Sequence, residues 1–321
     1  MVRWGIVGTG NIANKFAKAV KNADNAKLVA VASRTKESAD AFGDKYTIEN
    51  RFSSYEELAN FEGIDAAYIA LPHTLHAPTT KLFINAGKHV LCEKPITINE
   101  KELLEIINLT NDKKVYVMEA LWTRFLPTIN KIKEMVNEGV IGEVLEISAD
   151  FCYNCTDRSE MIFDNAYAGG SLLDVGIYGL NFASIFLGDK ITDIKAAAKV
   201  DRGVDERLNV LLTYESGAIA RISSAITLEK PATAYIYGTK GYIRIPVFFG
   251  PSQFEVTVSG NTTKYEVPFK GNGFEEEIEE CNKNILKGKT QSDIMPLSQS
   301  LTITKLMDKI RKQIGLTYDA D

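Results

Sequence analysis

The chain has little of what marks disulfide-rich, redox or metal-binding proteins. It contains four cysteines and three histidines in 321 residues. So few cysteines form no disulfide framework and favour a reducing compartment. Cys152 and Cys155 form a C-x-x-C, but this pair follows a strand-like run and does not open a helix as redox motifs do. Because no cysteine or carboxylate cluster joins the histidines at zinc-like spacing, we expect no metal site at His73, His76 or His89.

The chain also lacks a strong charge of one sign and long hydrophobic runs. Its 37 Lys and Arg against 42 Asp and Glu give a formal net charge of -5. Without a basic field, neither nucleic acid nor an anionic membrane is an expected partner. No apolar run approaches the roughly 18 residues that a membrane span needs, and the amino terminus starts a strand without a signal-peptide pattern. We therefore expect a cytoplasmic protein that acts on small molecules.

The first third of the chain alternates short apolar runs with helical patterns. A length of 321 residues suits two domains. Strands are predicted at 2–7, 27–33, 66–71, 89–92 and 115–119. Such alternation predicts an α/β fold with a doubly wound parallel sheet, the Rossmann type, over residues 1–121.

Beyond residue 122 the pattern changes from alternation to successive strands. Helices are predicted at 127–137, 171–186 and 297–314, with a strand at 144–151. Further strands are predicted at 191–200, 208–214, 218–227, 233–237, 242–245, 254–258 and 264–267. Turn chemistry at 215–217 and 238–241 predicts hairpins. Residues 122–321 are therefore predicted to form an α+β domain with a largely antiparallel sheet.

A glycine motif lies between the first apolar strand and an amphipathic helical stretch. It reads Gly8, Thr9, Gly10, Asn11, Ile12, Ala13. The first glycine permits a tight turn, the second lets the backbone approach a pyrophosphate, and Ala13 packs against the sheet. The start of the helix then supplies N–H donors and a favourable dipole. The motif predicts a bound dinucleotide.

The end of the second strand predicts which dinucleotide binds. An acid at this place would hold the ribose 2′-hydroxyl of NAD, but the chain reads Ser33, Arg34, Thr35, Lys36. Ser33 can donate a hydrogen bond, and Arg34 with Lys36 can bind a 2′-phosphate. NADP is therefore favoured over NAD. The alternative is that Arg34 and Lys36 are solvated residues at a helix start.

A lysine follows the apolar strand 89–92, at the sheet edge where open α/β proteins bind ligands. Lys94 lies between Glu93 and Pro95, and the proline restricts it to extended backbone geometry. A solvated surface lysine is the alternative. The setting favours a functional group beside the dinucleotide.

A glycine-rich turn at Gly169 and Gly170 opens a helical stretch with Asp174 and Tyr178 four residues apart, on one face. Lowering the pKa of a tyrosine from about 10 by ~2 units needs about 2.7 kcal/mol, which a nearby ammonium can supply. Tyr178 and Lys94 thus form a workable acid/base pair for an alcohol that loses a hydride. The alternative makes Tyr178 a half-buried core residue and Asp174 a helix-start acid.

With the glycine motif, Glu93-Lys94-Pro95 and the D-x-x-x-Y of Asp174 and Tyr178, the chain resembles the glucose-fructose oxidoreductase, inositol dehydrogenase and MocA (Gfo/Idh/MocA) family. Residues 119–127 are similar to its dimeric dihydrodiol dehydrogenase and NADP xylose dehydrogenase branch. The resemblance implies an NADP-dependent oxidoreductase acting on a sugar, polyol or cyclic diol. It also implies a homodimer that pairs through the sheet of the second domain.

The resemblance implies further site residues. Residues 70–76 look like the family loop that lies along the cofactor, so cofactor contacts are expected at Leu71, Pro72, His73 and His76. A cofactor contact is also expected at Glu93, in the Glu93-Lys94-Pro95 signature. For His76, a structural role is the alternative.

Trp122 and Arg124 are candidates for the substrate end of the site, with packing at the domain junction as the alternative. The Arg or Trp-Arg that family members often carry before the glycine-rich turn is missing, because residues 161–164 read Met-Ile-Phe-Asp. Whether Arg158 replaces it stays open.

Two other functions fit the same fold. One is a non-catalytic, NADP-binding regulatory protein, and the other is a relative that uses the nicotinamide only transiently in a hydrolytic or eliminating cycle. The complete set of Lys94, Asp174 and Tyr178 favours a dehydrogenase, because a sensor has no need of a placed acid/base group.

Overall fold

The computed structural model describes residues 1–157 and 160–321. They divide into two compact units. The first unit comprises Met1–Trp122 with Lys270–Leu301, and the second comprises Thr123–Phe269 with Thr302–Asp321.

The described residues of the first unit form a six-stranded parallel sheet with the strand order β3-β2-β1-β4-β5-β6. Its strands and helices alternate along the chain: β1 Val2–Val7, α1 Asn11–Val20, β2 Ala26–Ala32, α2 Lys36–Tyr46, β3 Asn50–Phe52, α3 Tyr55–Ala59, β4 Ala66–Ile69, α4 His76–Asn85, β5 His89–Glu93, α5 Glu100–Lys113 and β6 Val117–Ala120. This is the order of the doubly wound dinucleotide-binding fold, so the predicted Rossmann sheet is confirmed.

Local sequence explains most of these elements. The central strands are apolar on both faces, as in β4, where all four residues are buried. Side-chain caps begin three helices: Thr35, Ser54 and Asn99 accept hydrogen bonds from the N–H groups of Ser38, Glu57 and Glu102. β3 was not predicted, because its three half-buried residues form no apolar run and are held by pairing with β2.

The second unit contains an eight-stranded sheet in its described residues, with the order β14-β13-β12-β11-β7-β10-β9-β8. The remaining elements are α6 Pro127–Asn137, β7 Val144–Cys152, α7 Ile177–Leu187, β8 Ile191–Asp201, β9 Val204–Tyr214, β10 Ile219–Ala225, β11 Thr233–Gly238, β12 Gly241–Pro246, β13 Gln253–Val258, β14 Asn261–Glu266, α8 Phe274–Leu286 and α9 Leu297–Ile314. Every pair is antiparallel except β7 with β10. The predicted antiparallel sheet is confirmed, with one parallel pair inside it.

The two faces of this sheet differ in composition along directly paired residues. One cross-strand row is buried in the six inner strands and continues to the partly exposed Ile194 in β8 and the exposed Thr263 in β14; its buried members are Leu212, Ala220, Ile147, Ile236, Ile243 and Val256. The adjacent row contains no buried residue: Lys195, Leu211, Arg221, Ser148, Tyr235, Arg244, Glu255 and Lys264. The face that carries the second row is therefore unburied along that row, although Cys152, Ser223 and Ala225 at one end of the same face are buried.

Residues 270–301 belong to the first unit, which corrects the predicted division into 1–121 and 122–321. The Trp4 indole donates to Asn282 Oδ1 at 3.0 Å, and Asn282 Nδ2 donates to the Asp24 carbonyl at 2.8 Å. Leu297 joins the apolar core of this unit. The acid-rich α8 was not predicted. Because Trp4 and Asn282 lie 278 residues apart in sequence, their contact leaves no local sequence signal.

Among the described residues, one apolar helical stretch, Asn165–Leu187, is long enough to cross a membrane by length and composition alone. This corrects the expectation that no run approaches that length. In the structure 67% of its apolar window is buried inside the protein, as in the core helix of a globular domain.

Candidate active site

The carboxyl ends of four neighbouring strands lie at one edge of the first unit's sheet. Val7 pairs with Ala32 and with Ile69, and Ile69 pairs with Cys92, so β1, β2, β4 and β5 end level with one another. Ligands of doubly wound sheets bind outside this edge. The sheet register therefore brings the glycine motif, residues 33–36, residues 70–76 and Lys94 to one side of the unit.

The two glycines of the motif differ in what requires them. Gly8 has a φ of +101°, and a Cβ there would lie 2.4 Å from the Ala70 carbonyl oxygen. The protein itself therefore needs glycine at this position. Gly10 has an ordinary φ of -72°, and a Cβ there would meet nothing within 4 Å. Packing within the chain does not explain Gly10, whereas the close approach of a pyrophosphate does.

The start of α1 is prepared for an anion. The N-cap residue of α1 is Gly10, and no side chain at that position accepts a hydrogen bond from the helix. The first N–H groups of the helix are therefore available to a ligand. Asn14 holds the turn, because its Nδ2 donates to the Gly10 carbonyl at 2.8 Å. Tyr46 donates its hydroxyl hydrogen to Asn14 Oδ1 at 2.8 Å. Sequence reasoning missed Asn14, since its partner Tyr46 lies 32 residues away. These residues fit a dinucleotide phosphate.

The predicted 2′-phosphate residues have different environments. Ser33 is 7% exposed, and its Oγ lies 3.3 Å from Thr9 Oγ1, which joins the end of β2 to the glycine turn. Arg34 is exposed. Lys36 forms an i,i+4 ion pair with Asp40 at 2.5 Å. Asp40 offsets the charge of Lys36, so Arg34 is the better candidate for a phosphate ligand.

His76 has the structural role that was the alternative to a cofactor contact. It is 1% exposed, its Nδ1 lies 2.7 Å from the Pro95 carbonyl oxygen, and its Nε2 lies 2.7 Å from that of Leu71. Burial, then the neighbouring His73, lowers the pKa of His76 to about 4. The ring ties the end of β4 to the segment after Lys94. Leu71, Pro72 and His73 remain partly exposed at the sheet edge.

Glu93 and Lys94 are adjacent in the chain but differ in burial. The Glu93 carboxylate is buried and accepts a hydrogen bond from the Tyr68 hydroxyl, and burial raises its pKa. Glu93 is thus held inside the unit by Tyr68, and its contact with the cofactor stays a prediction. In the fully described stretch 90–98, only Lys94 is not buried. The backbone after it is fixed by Glu119 Oε1, which accepts from the Ile96 N–H at 3.0 Å.

Asp174 and Tyr178, in the second unit, are also partly exposed residues within an otherwise buried stretch. Within the described residues 168–183, these two alone are partly exposed. Residues Leu172–Gly176 form a π-helical turn rather than the predicted α-helix, and α7 continues from Ile177. Such turns are rare and often occur at functional sites. The fold presents Asp174 and Tyr178 from an otherwise buried helical stretch.

Aromatic side chains surround this pair in the second unit. The Tyr178 ring lies 5.5 Å from that of Phe151 and 6.0 Å from that of Phe249, and these two phenylalanines stack at 4.2 Å. The Tyr153 hydroxyl donates to Asp174 Oδ2 at 2.5 Å. Burial, then the Asp174 charge, raises the pKa of Tyr153, so its hydroxyl stays protonated and remains a hydrogen-bond donor to Asp174. Sequence reasoning missed Phe151, Tyr153 and Phe249.

The predicted substrate residues outside the helical stretch have packing partners. Trp122, in the first unit, lies 5.4 Å from the Phe274 ring. In the second unit, Arg124 donates from Nε to Asn181 Oδ1 at 2.5 Å and from Nη2 to Ser184 Oγ at 2.6 Å. These contacts favour the packing alternative for Arg124.

Arg158 lies outside the described residues. No cluster of three or more metal-ligating side chains occurs in the described ranges.

Comparison with known proteins decides the family. Residues 2–121 match the Gfo/Idh/MocA oxidoreductase family with its NAD-binding Rossmann fold, and residues 129–244 match the C-terminal domain of that family. The trans-1,2-dihydrobenzene-1,2-diol dehydrogenase of Mus musculus is 34% identical over 335 residues, covering 100% of this chain and 99% of the relative. The chain belongs to the Gfo/Idh/MocA oxidoreductase family. The predicted family and its nicotinamide-dinucleotide class are thus confirmed.

Other relatives of this Gfo/Idh/MocA protein agree. The human enzyme of the same name is 32% identical, covering 100% of this chain and 99% of that protein. The 3-ketoreductase KijD10 from Actinomadura kijaniata, solved with NADP and TDP-benzene, has a TM-score of 0.90 at 24% identity, covering 98% of each chain. The aldose-aldose oxidoreductase of Caulobacter crescentus, solved with glycerol, has a TM-score of 0.90 at 24% identity, covering 97% of each chain. These two structures have the same fold.

Proposed function

We propose that this protein is an NADP-dependent oxidoreductase that transfers a hydride between the nicotinamide and a hydroxyl-bearing carbon of a sugar, polyol or cyclic diol. The observation that carries the proposal is the placement of Lys94. It is the one residue in the fully described stretch 90–98 that is not buried, and it follows β5 at the sheet edge that also carries the glycine turn. Whole-length relatives named as dihydrodiol dehydrogenases support the same reaction class.

Arg34 supports NADP rather than NAD. Its guanidinium is exposed just beyond β2, where an acid would be expected in an NAD-binding protein. A planar guanidinium can bind a phosphate through two parallel hydrogen bonds. The solved structure of KijD10 with NADP is consistent with this choice.

Three side chains carry the proposed acid/base chemistry. The nicotinamide, when bound, supplies the hydride acceptor or donor. Tyr178 takes the hydroxyl proton of the substrate in the oxidising direction and returns it in the reducing direction. Lys94 supplies the positive charge that stabilises the negative charge developing on the substrate oxygen. Asp174, held by Tyr153, orients the substrate hydroxyl.

The aromatic side chains around Tyr178 favour the cyclic diol among the three substrate classes. Phe151 and Phe249 stack with their ring planes only 6° apart, and both are partly exposed. Stacked rings offer an apolar surface that suits a flat or weakly puckered ring. A diol bound there would keep its hydroxyls for the polar atoms of Asp174 and Tyr178.

The experiment is a substrate panel read by nicotinamide absorbance. Purified protein is incubated with NADP or NAD and with a dihydrodiol, a pentose, a hexose or an inositol. We expect net NADP reduction, fastest with the dihydrodiol. Binding of NADP without reduction by any substrate would favour the regulatory protein, and product formation without net reduction would favour the transient use of the nicotinamide.

Two variants test the assigned roles. Tyr178→Phe and Lys94→Ala should each lower kcat by about 100-fold or more, the range for loss of a general acid/base group, while NADP binding stays nearly unchanged. Lys81→Ala is a matched control, since this lysine of the same unit is ion-paired with Glu105 and lies outside the predicted site residues. Normal turnover in either of the first two variants would contradict the assignment.

We also propose that the protein is a homodimer, paired through the unburied face of its eight-stranded sheet. The row from Lys195 to Lys264 crosses all eight strands without a buried residue. A second copy would cover this face and its row of charged and aromatic side chains. Sedimentation equilibrium tests this, and a monomer at working concentration would contradict it.

A further inference from the structure

We propose that Asp205 is a positioning residue for this reaction, because its carboxylate holds the start of the helical stretch that carries Asp174 and Tyr178. This inference rests on the proposed function. Asp205 lies at the start of β9 and is 0% exposed. Its Oδ2 accepts two hydrogen bonds of 2.7 Å, from Ser171 Oγ and from the backbone N–H of Leu172.

Both donors lie where the helical stretch begins. Leu172 is the first residue of the π-helical turn, and Ser171 precedes it. The first N–H groups of a helix have no partner within the helix, and a carboxylate is favoured there by hydrogen bonding and by the helix dipole. Ordinary caps come from the residue just before the helix. Here the cap comes from a strand 33 residues away in sequence.

The chain around Gly170 passes very close to the Asp205 carboxylate. Gly170 has a φ of +108°, and a Cβ there would lie 2.3 Å from Asp205 Oδ1. Only glycine therefore lets the chain pass so near the acid. Ser171 Oγ also lies 2.9 Å from Ser224 Oγ on β10. The cluster of Gly170, Ser171, Asp205 and Ser224 thus joins two strands to the first turn of the helical stretch.

This anchor determines the position of the proposed catalytic groups. Asp174 lies in the same π-helical turn as Leu172, and Tyr178 lies in the following turn. A π-helical turn is wider than an α-helical one and is rarely stable without support. If the anchor is lost and the turn relaxes toward an α-helix, Asp174 and Tyr178 rotate relative to the strands. Displacement of reacting groups by about 1 Å can cost about 100-fold in rate.

A buried carboxyl at this position also lowers the stability of the folded protein at neutral pH. Burial raises the pKa of Asp205 to about 7, although the hydrogen bonds from Ser171 and Leu172 favour its ionised form. A carboxyl that ionises more easily in the unfolded chain lowers stability at neutral pH. A neutral residue would avoid this cost, so the acid is expected to serve more than packing.

The test compares three variants with a matched control. Asp205→Leu removes both hydrogen bonds, Asp205→Asn keeps an accepting oxygen of the same shape, and Ser171→Ala removes one donor. The control is Glu206→Gln, a neighbouring buried acid whose carboxylate is paired with Lys199 and Arg202. For each protein we would measure Tm, the Kd for NADP, kcat, KM and hydrogen exchange of residues 171–178.

We expect Asp205→Leu to lower kcat by about 100-fold, with the Kd for NADP within about 2-fold of the parent. Asp205→Asn should recover at least about 10-fold of this loss, since the amide oxygen still accepts from Leu172. Ser171→Ala should fall between them. In all three, exchange of residues 171–178 should rise, whereas Glu206→Gln, which loses two ion pairs and with them some Tm, should match the parent in kcat, KM, the Kd for NADP and the exchange of residues 171–178.

Unchanged kcat and unchanged exchange in a folded Asp205→Leu protein would overturn the proposal. If that variant does not fold, Asp205→Asn and Ser171→Ala decide, and parental kcat and exchange in both would overturn it. A parent without turnover on any substrate refutes the proposed function alone. The exchange of residues 171–178 then decides by itself whether Asp205 positions this stretch.

Discussion

The two glycines of the nucleotide turn allow a test that separates folding from ligand binding. Gly8→Ala places a Cβ 2.4 Å from the Ala70 carbonyl oxygen at a φ of +101°. Gly10→Ala places a Cβ in open space at a φ of -72°. The first substitution should therefore damage the protein, and the second should damage only the binding of the dinucleotide.

The magnitudes follow from these geometries. An unfavourable φ costs about 1–3 kcal/mol, and the displaced Ala70 carbonyl adds about 1 kcal/mol or more, so Gly8→Ala should lower the free energy of unfolding by about 2–4 kcal/mol. For Gly10→Ala, the loss of a good N-cap residue and the reduced entropy of the unfolded chain nearly cancel, which leaves a change within about 0.5 kcal/mol. Its added methyl group, however, would occupy the predicted place of the pyrophosphate and should weaken NADP binding by about 10-fold or more.

Each variant is measured in two ways, by thermal unfolding without nucleotide and by titration calorimetry with NADP. The midpoint temperature of the first unfolding transition of the apoprotein should fall by at least about 4 °C in Gly8→Ala. It should fall by less than about 2 °C in Gly10→Ala. Titration calorimetry with NADP should show the weakened binding of Gly10→Ala. Unchanged NADP affinity in a stable Gly10→Ala protein would refute the placement of the phosphate at this turn.

Three further predictions concern single side chains. Arg34→Asp should weaken NADP binding by about 10- to 150-fold and NAD binding little, and equal effects on both in calorimetry would remove the argument for NADP. The folded-state pKa of His76, about 4, lies below its usual value of 6.5, so wild-type stability should fall by up to about 3 kcal/mol as the pH drops from 6.5 to 4. Denaturant titrations of His76→Gln should lack this component, and an identical pH dependence would contradict it. Tyr318→Phe, which removes the hydrogen bond to the Gly169 carbonyl, should cost about 1–2 kcal/mol in the same titrations, whereas no loss would show that this bond contributes nothing.

Sequence reasoning was most successful where a signal is local. The helices at 127–137 and 297–314 were predicted with the bounds that the structure shows. It was least successful where the partner is distant. α8 is held through Asn282 by Trp4, and β3 is held by pairing with β2. The π-helical turn was read as α-helix, because the cap that supports it comes from Asp205.

The amino-acid sequence by itself determined the alternation of strands and helices, the glycine turn, Lys94 at a strand end and the spacing of Asp174 and Tyr178. These features depend on periodicity, turn chemistry and backbone restriction, which act over a few residues. Only the tertiary structure decided which side chains face inward. It buried Glu93 against Tyr68, engaged His76 with two carbonyls, tied Arg124 to Asn181 and capped Leu172 with Asp205. Such pairings depend on sheet register and packing between distant segments, which no local pattern records.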